Sequence, residues 1–427
     1  MKLMTKINRF FGKILPKSVF DRLKQRKDLF SLREDFALTS KLSDRITRCE
    51  KKQIINLVFI IYMPEVFASL QSIYESALNN EHFHVTILAQ PHVDNQQGLL
   101  GVNPSYEYLK EKYNNVINAY KDNEWFDLKV LCPDYVFYAR PYNFHYYRDY
   151  RPENVRHYAK VCFHPYAYDM DRIADFYIVY NLQFLKNVSL VFNTSESTKE
   201  RISKLIVNSK MQYPKVVCLG FSRFDLMNQR IVSSYSKPTV LWLPRWSMGK
   251  NQGSKQSNFL KYIDLFLRFA SEHNEIDFII RPHPLMFHNF EELGLYSKND
   301  FNNLNERCKI LGNVMLDTEK DYFKSLMKAD ILLCDYTSLL IEFFIFGRPI
   351  IYCDDASTFN YEAKQIDKVV YHAKKWEEIE KLLKKLLSGN DELKEKRHAL
   401  IPFIMKDFDV GTKIVEYLQN DYYGIKK

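Results

Sequence analysis

A candidate phosphate-binding segment lies in the carboxyl-terminal half of the chain. Asp335, Thr337 and Ser338 come directly after the apolar residues 331–334 and directly before a helical pattern over residues 338–346. The end of a parallel strand and the start of a helix present backbone N–H groups and a helix dipole that favour an anion. In an open α/β sheet this edge is also where ligands bind. These residue types commonly cap helices as well, so the segment alone leaves phosphate binding and simple capping open.

Three further strand-like runs end in polar loops. His283 lies between two prolines after residues 277–280, in a loop that neither a strand nor a helix can continue, because proline lacks the N–H group and fixes its own φ. The alternative for His283 is a surface histidine in a turn. The other two runs lead to Arg245 and to the pair Arg223 and Asp225. Together the four loops hold the side chains expected of a diphosphate-binding crevice.

These segments resemble the CDP-glycerol glycerophosphotransferases, enzymes that build teichoic acids and related phosphate-linked capsule polymers. That family shows a Gly-x-Pro-Arg-x-Asp element, a strand ending Ala-Pro-Thr-Trp-Arg, a His-Pro loop and an Asp-Tyr-Ser-Ser element followed by Lys/Arg-Pro-Ile. The corresponding segments occur here in the same order: Gly-Phe-Ser-Arg-Phe-Asp at 220–225, Leu-Pro-Arg-Trp at 243–246, His-Pro at 283–284, Asp-Tyr-Thr-Ser at 335–338 and Arg-Pro-Ile at 348–350. The order Leu-Pro-Arg-Trp differs from the family's Pro-Thr-Trp-Arg, so the alignment of Arg245 stays open.

The resemblance implies a GT-B-like α/β fold, with two Rossmann-like domains and a cleft between them. It implies transfer of glycerol phosphate, or a related polyol phosphate, from a CDP-activated donor to an acceptor hydroxyl, with release of CMP. The donor-binding residues would be Arg245, His283, Asp335, Thr337, Ser338 and Glu342. Asp335 would hold its loop or a ligand hydroxyl, and Glu342 would either reach the ribose or be a buried partner of its own helix. Arg223 and Asp225 would pair with each other or with the interdomain wall.

The catalytic base is the least defined part of this interpretation. Family members carry a Trp-His-Gly element whose histidine is the proposed base, but none of the four tryptophans here is followed by His-Gly. The nearest equivalent is His164, so His164 and His283 are the catalytic candidates; packing within a tyrosine-rich loop is the alternative for His164. Upstream, residues 133–142 resemble a sub-branch signature, Pro-Asp-x-Val-Phe-x-x-x-Pro-Tyr.

Three other functions share the same fold or crevice. A GT-B glycosyltransferase would use a nucleotide sugar, a sugar-nucleotide epimerase would need no acceptor, and a non-catalytic homologue would bind a polymer or tether a complex at a membrane. No Gly-x-Gly-x-x-Gly follows a strand, which argues against a nicotinamide or flavin cofactor. Carboxylate pairs at metal-ligand spacing are not evident, so a divalent ion cannot be assigned.

The amino terminus is strongly basic. Residues 1–33 hold ten Lys and Arg against two Asp, giving +8 of the formal +9 of the chain. Within residues 2–15 the apolar positions follow helical spacing with cations opposite, the pattern of a helix that lies in an anionic membrane surface. The residues expected to bind the membrane are Lys2, Lys6, Arg9, Phe10, Phe11 and Lys13. A helix docked on the protein's own core is the alternative, and nucleic acid is not an expected partner because no known binding motif accompanies the charge.

The elements that position these residues alternate between strand and helix, which is typical of parallel sheets. The predicted organisation is a basic amphipathic extension over 1–50, a Rossmann-like acceptor domain over 51–235 and a Rossmann-like nucleotide-donor domain over 236–427, with the hinge near 233–238. Other predicted elements are helices over 65–79 and 106–122, a strand over 176–179 and a mobile loop over 249–257.

The expected location is the cytoplasm, peripheral on the inner face of the cell membrane, with a polymer or lipid-linked acceptor. The seven cysteines are scattered without a Cys-x-x-Cys, which indicates reduced thiols and argues against a disulfide framework or a structural zinc site. No apolar run approaches the ~20 residues of a membrane-spanning helix, and no signal-peptide pattern is present.

Overall fold

The computed structural model describes residues 17–48, 52–94, 98–99, 103–170, 180–207, 214–229, 237–248, 256–319, 321–406 and 408–425. The predicted membrane helix over 2–15 and the predicted strand over 176–179 lie outside these residues, as do most of the predicted hinge and of the loop over 249–257. No helix in the described part of the chain has the length and apolar character needed to cross a membrane.

The first domain is built on a seven-stranded sheet in the spatial order β11-β10-β9-β8-β1-β2-β5, in which every neighbouring pair is parallel. Its strands are β1 Ile55–Ile61, β2 Phe83–Ala89, β5 Val116–Asn118, β8 Tyr135–Tyr138, β9 Lys160–Phe163, β10 Leu190–Asn193 and β11 Lys215–Cys218. Two short antiparallel ribbons join β3 Val93–Asp94 to β4 Gly98–Leu99 and β6 Tyr120–Lys121 to β7 Glu124–Trp125.

The second domain is built on a six-stranded parallel sheet in the order β14-β13-β12-β15-β16-β17. Its strands are β12 Thr239–Leu243, β13 Asp277–Ile280, β14 Val314–Leu316, β15 Ile331–Cys334, β16 Ile350–Tyr352 and β17 Tyr371–His372. Alternate residues of β12 enter two separate cores, with Leu241 and Leu243 on one face and Val240 and Trp242 on the other. Both faces are therefore buried, which explains the nearly continuous apolar runs.

Helices cover both sheets. Those before residue 230 are α1 Lys17–Arg48, α2 Pro64–Phe67, α3 Gln71–Leu78, α4 Pro104–Lys110, α5 Pro152–Val155, α6 Leu182–Leu185, α7 Glu196–Val207 and α8 Arg223–Gln229. Those after it are α9 Phe259–Glu272, α10 Met286–Glu292, α11 Lys298–Leu311, α12 Phe323–Lys328, α13 Leu339–Phe344, α14 Tyr361–Asp367, α15 Trp376–Leu387, α16 Lys394–Ile404 and α17 Val410–Tyr423.

Two helices tie the ends of the chain to the first domain. On α1, Thr39 donates to the carbonyl of Lys186 at 2.5 Å, and Asp35 lies 2.9 Å from the ammonium of Lys186. The last helix, α17, packs its apolar side into the core of the first domain rather than that of the second. Gly411 lets α17 approach α3 closely, because a Cβ there would lie 2.5 Å from the carbonyl oxygen of Ser72. The predicted domain boundaries did not anticipate this return and otherwise stay predictions.

One predicted helix is wrong and another is interrupted. The segment over 106–122 forms only the short helix α4, after which Val116 and Ile117 pair with β2 as an edge strand. Hydrogen bonding and burial against a neighbouring strand override the helical pattern there. The segment over 65–79 forms α2 and α3, separated by a turn over 68–70.

Candidate functional site

The predicted donor-binding residues meet at one edge of the second sheet. Strand β12 lies between β13 and β15, and all three run parallel, so the loops that follow them adjoin. These loops carry Arg245, His283 and residues 335–338. The guanidinium Nη1 of Arg245 donates to the carbonyl of Tyr336 at 3.2 Å, and the rings of Trp246 and His283 lie 5.9 Å apart. The structure thus brings together segments separated by about ninety residues, as the sequence predicts.

Asp335 is buried beneath this edge of the sheet and holds the neighbouring loops in place through hydrogen bonds. The carboxylate is fully buried and accepts three N–H groups: those of the Arg245 backbone at 2.9 Å, the Asn258 backbone at 3.0 Å and the Asn258 side chain at 2.7 Å. Burial raises its pKa to about 6, whereas the three donors act to lower it. Of the two roles predicted for Asp335, the geometry favours holding the loop of Arg245.

Arg245 presents a positive charge without a carboxylate partner among the residues that the structure describes. Its Nε donates to the hydroxyl of Ser247 at 2.5 Å, and the guanidinium lies 4.9 Å from the centre of the Tyr336 ring. These contacts fix the plane of a partly exposed guanidinium. Such a group is suited to a planar or bidentate contact with a phosphate.

His283 is held in one tautomer. Its Nδ1 accepts the backbone N–H of Leu285 at 3.1 Å, so in the neutral ring the proton is on Nε2. The pKa of His283 is lowered to about 4, first by desolvation and then by the charges of Arg245 and Arg140. The side chain is still exposed to solvent, so it combines access with a neutral ring at pH 7. It can donate a hydrogen bond from Nε2 to an anion.

The two hydroxyls before α13 differ in their contacts. Thr337 accepts the backbone N–H of Leu339 through Oγ1 at 3.3 Å, which matches the capping alternative. Ser338 is the residue before the first turn, and its hydroxyl makes no capping hydrogen bond to the helix. Both side chains are partly exposed, so Ser338 in particular is available to a ligand.

Glu342 lies away from this surface. It is 1 % exposed, its Oε2 lies 3.1 Å from Nε of Arg223, and the hydroxyl of Tyr322 donates to it at 2.6 Å. Burial raises the pKa of Glu342 to about 7, although the charge of Arg223 lowers it. The geometry therefore favours the buried-partner alternative over a contact with a ribose.

Arg223 and Asp225 do not pair with each other, which corrects that part of the expectation. Arg223 extends into the second domain towards Glu342, whereas Asp225 faces the first domain. The carboxylate of Asp225 accepts the hydroxyl of Ser72 at 2.5 Å and the backbone N–H groups of Val410 and Gly411 at 3.0 and 2.8 Å. The two residues thus join helix α8 to both domains.

His164, the predicted base, is fully buried at the end of β9. Its Nδ1 lies 2.9 Å from the carbonyl oxygen of Phe192, and its Nε2 lies 3.0 Å from the hydroxyl of Ser222. Burial lowers its pKa to about 4, so the ring is neutral at pH 7. With both nitrogens engaged inside the protein, His164 has no open path to an acceptor in this conformation, and its catalytic role stays an untested prediction.

Two residues at the site were not singled out from the sequence. Asn258 completes the hydrogen bonds of Asp335 and has no motif of its own. Arg140 follows β8 and its charge acts on His283 across the cleft. The sequence could have indicated Arg140, because it lies within the signature over 133–142 and closely follows a predicted strand.

A surface cavity of about 850 Å³ lies elsewhere, against helix α3 and the residues that lead into β2. It is lined by Ser72, Glu75, Ser76, Asn79, Asn80, Glu81, His82 and Thr412. Residues 79–82 precede β2, so part of the lining lies near the amino end of that strand. Among the described residues no cluster of His, Cys, Asp and Glu could hold a metal ion.

The fold and the site define a GT-B-like protein with two α/β domains whose facing strand ends carry cations. Residues 223–409 match the model of the family CDP-Glycerol:Poly(glycerophosphate) glycerophosphotransferase. The resemblance drawn from the motifs is therefore confirmed. No curated protein sequence matches the chain.

Solved structures confirm the fold. The chain is similar to the H444N variant of the wall teichoic acid polymerase TagF, with a TM-score of 0.54, 12% identity and coverage of 94% of this chain and 98% of that one. It is also similar to the UDP-GlcNAc 2-epimerase from Neisseria meningitidis bound to UDP-GlcNAc, with a TM-score of 0.57, 13% identity and coverage of 86% and 100%. For the S. aureus MnaA–UDP co-structure the TM-score is 0.56 at 11% identity, with coverage of 86% and 96%. At these identities the likeness shows the fold alone.

Proposed function

We propose that this protein transfers glycerol phosphate, or a related polyol phosphate, from a CDP-activated donor to an acceptor hydroxyl in the synthesis of a cell-surface polymer. The family match over residues 223–409 supports polyol-phosphate transfer in general. The observation that carries the proposal further is the convergence of Arg245, His283 and Ser338 at one sheet edge inside the matched region. All three side chains can donate hydrogen bonds, and phosphate oxygens accept them.

The donor's diphosphate would lie against this edge. The guanidinium of Arg245 and the Nε2–H of His283 would contact its oxygens, and the hydroxyls of Thr337 and Ser338 would complete the contact. Because Asp335 fixes the loop of Arg245 before any ligand arrives, the positive charge is already oriented. Preorganised donors of this kind stabilise the charge that develops on phosphoryl oxygens.

The reaction would be a displacement at the distal phosphorus. An acceptor oxygen forms a new bond to that phosphorus, the bond from phosphorus to the oxygen of CMP breaks, and CMP leaves with the electron pair. The acceptor would lose its proton to a general base, and His164 could take that role only in a conformation that exposes its ring. His283, neutral at pH 7, would stabilise the departing phosphate by donating from Nε2.

We propose further that residues 2–15 hold the protein on the inner, anionic face of the cell membrane, next to a polymer or lipid-linked acceptor. The supporting observation is the charge of +8 within residues 1–33. Anionic lipids attract such segments by ~1 kcal/mol for each Lys or Arg near the surface.

The deciding experiment measures CMP release from CDP-glycerol and CDP-ribitol by the purified protein, with a crude lipid or polymer acceptor present and UDP-sugars tested in parallel. Release of CMP from one CDP-polyol is the expected result and identifies the donor. Release of UDP from a sugar nucleotide, with no CMP from either polyol donor, would replace the proposal by a nucleotide-sugar enzyme. Nucleotide binding without any turnover would support a non-catalytic homologue.

The variant His283→Ala ties the activity to this site. We expect it to lose at least a hundredfold in kcat/KM while remaining folded, in the range of ~10²–10³ typical of a positioned hydrogen-bond donor to developing negative charge. His288→Ala is the matched control, because His288 is an exposed histidine on the helix that follows and pairs with Glu292 on that helix. Full activity of His283→Ala would remove His283 from the site.

A further inference from the structure

The first domain presents a second cation at the edge that faces the candidate site. Arg140 follows β8, which lies between β1 and β9 in the parallel sheet. Tyrosines after these strands surround its guanidinium: the ring centres of Tyr142, Tyr166 and Tyr62 lie 4.8, 5.0 and 5.7 Å away. Contacts with aromatic faces hold a guanidinium in place without neutralising its charge.

The charge of Arg140 has no carboxylate partner among the residues that the structure describes. Its one hydrogen-bond acceptor there is the thioether of Met63, with Nη1 2.7 Å from Sδ. A thioether is a weak acceptor. By contrast, Arg156 in the same domain lies 3.4 Å from the carboxylate of Asp35.

Two buried polar atoms in this tyrosine cage also lack a partner. Neither Nε of Arg140 nor the hydroxyl of Tyr62 has a hydrogen-bond partner in the described part of the chain. Leaving such atoms unsatisfied is costly, and a bound water, ion or ligand is one way to satisfy them. Nε of Arg140 and the hydroxyl of Tyr62 therefore remain donors that a bound acceptor could use.

The cage faces the second domain. Arg140 is close enough to His283 for its charge to contribute to the lowered pKa of that histidine, beside the charge of Arg245. The charges of two arginines, one from each domain, thus act on one histidine. An anion in the cleft would neutralise both of them.

We propose that Arg140 binds a phosphate group of the substrates and is the first domain's counterpart of Arg245. The proposal rests on the function proposed above, because that reaction brings phosphate into the cleft from two sources, the diphosphate of the donor and the phosphate of an acceptor polymer. A planar guanidinium that is held in place by contacts with tyrosine rings is suited to two parallel hydrogen bonds to phosphate oxygens. The side chain of Arg140 is partly exposed, so a phosphate group can approach it.

The test compares wild type with Arg140→Met, in which the side chain keeps its length within the cage and loses its charge. Isothermal titration with inorganic pyrophosphate at low ionic strength measures anion binding directly, and steady-state CMP release measures KM for CDP-glycerol and KM for the acceptor separately. Arg148→Met is the matched control, since Arg148 follows the same strand but is exposed and pairs with Asp149. Thermal unfolding checks that each variant is folded.

We expect Arg140→Met to bind pyrophosphate at least tenfold more weakly than wild type and Arg148→Met to bind it as wild type does. A rise in KM for CDP-glycerol alone places the phosphate in the donor, and a rise in KM for the acceptor alone places it in the acceptor. If Arg140→Met does not fold, Arg140→Lys replaces it, and a several-fold loss is expected because lysine keeps the charge but lacks the planar fork.

The failures of the two proposals are distinguishable. If wild type releases no CMP from any CDP-polyol but binds pyrophosphate in an Arg140-dependent way, the reaction is wrong and the phosphate site stands. Equal pyrophosphate affinity and equal KM values in wild type and Arg140→Met overturn the site even if CMP is released. Absence of pyrophosphate binding by wild type, with KM values unaffected by the substitution, overturns it as well.

Discussion

The ion pair between Arg223 and Glu342 gives a prediction whose size depends on which partner is removed. Both side chains are buried, at 4 % and 1 % exposed, and Tyr322 donates a hydrogen bond to the carboxylate of Glu342. Glu342→Leu leaves a buried guanidinium that stays charged at neutral pH, although burial lowers its pKa. Removing one partner of a buried pair in this way costs about 3–5 kcal/mol of unfolding free energy.

Arg223→Met should cost less. The remaining carboxyl still receives the hydroxyl of Tyr322 and can take up a proton, since burial already raises the pKa of Glu342 to about 7. We expect a loss of about 1–3 kcal/mol, the range for a buried polar group that loses a partner. The double variant Arg223→Met/Glu342→Leu removes both charges and should lie within about 1 kcal/mol of wild type, because well-packed apolar pairs often replace buried ion pairs without loss.

The pH dependence of Arg223→Met follows from the same contacts. Without the arginine that lowers it, the folded-state pKa of Glu342 rises further above its unfolded value of 4.5. Above pH 4.5 the folded state then binds more protons than the unfolded state, so the unfolding free energy decreases as pH rises. The stability difference between Arg223→Met and wild type should therefore be larger at pH 8 than at pH 5.

Urea unfolding followed by tryptophan fluorescence measures these differences, since Trp242 and Trp376 are buried in the second domain. Arg307→Met is the control. Arg307 pairs with Asp264 at 2.8 Å, but both side chains are largely exposed, so the loss should not exceed about 1 kcal/mol. If the two single losses are equal and add up in the double variant, the residues do not act as a buried pair and the reasoning fails.

Four other predictions concern the site and the amino terminus. Asp335→Asn turns an amide N–H₂ towards a group of N–H donors, so we expect a loss of about 1–3 kcal/mol in unfolding free energy and a higher KM for the CDP donor; an unchanged unfolding temperature would contradict the hydrogen-bond assignment. Ser338→Ala should raise that KM several-fold while changing stability by less than about 0.5 kcal/mol, because its hydroxyl does not cap the helix; equal KM values would exclude the contact. His164→Ala should lower the unfolding temperature with little change in kcat for the folded enzyme, whereas a loss of ~10²–10⁴ in kcat at normal stability would establish His164 as the base. Deletion of residues 2–15 should abolish cosedimentation of the protein with anionic liposomes and leave its cosedimentation with neutral liposomes unchanged. Unchanged binding to anionic liposomes would exclude a membrane-binding helix.

The sequence predicts the second domain better than the first. Between β12 and β16 each strand is a short apolar run bounded by a loop with proline, glycine or charged residues, so local pattern and tertiary structure agree. In the first domain the residues around Val116 have a pattern that predicts a helix. They form a strand because they pair with β2 at the edge of the sheet. Whether such a segment forms a strand depends on a neighbouring strand about thirty residues away in the sequence, and a local pattern does not contain that information.

The candidate site, too, is only partly predictable from the sequence. The positions of Arg245, His283 and Asp335 follow from one rule, that ligands bind at the carboxyl ends of parallel strands. The environment of each side chain does not follow from that rule. His164 satisfies it equally well, yet its ring is enclosed with both nitrogens engaged. Burial depends on what packs above the strand end, and for His164 that is Phe221, from a loop fifty-seven residues later.

The Arg-x-Asp element shows why a motif can identify a family without marking the ligand contact. Arg223 and Asp225 are two positions apart on α8, and their side chains go to different domains: Arg223 to Glu342 behind the donor loop, Asp225 to the first turn of α17 and to α3. The element therefore connects the donor edge of the second domain to the last helix, which packs on the first. If the substrates meet between the two sheets, as proposed above, this connection contributes to the distance between Arg140 and Arg245. A substitution at Asp225 should consequently change KM values for both substrates together, whereas a substitution at Arg245 should act on the donor alone.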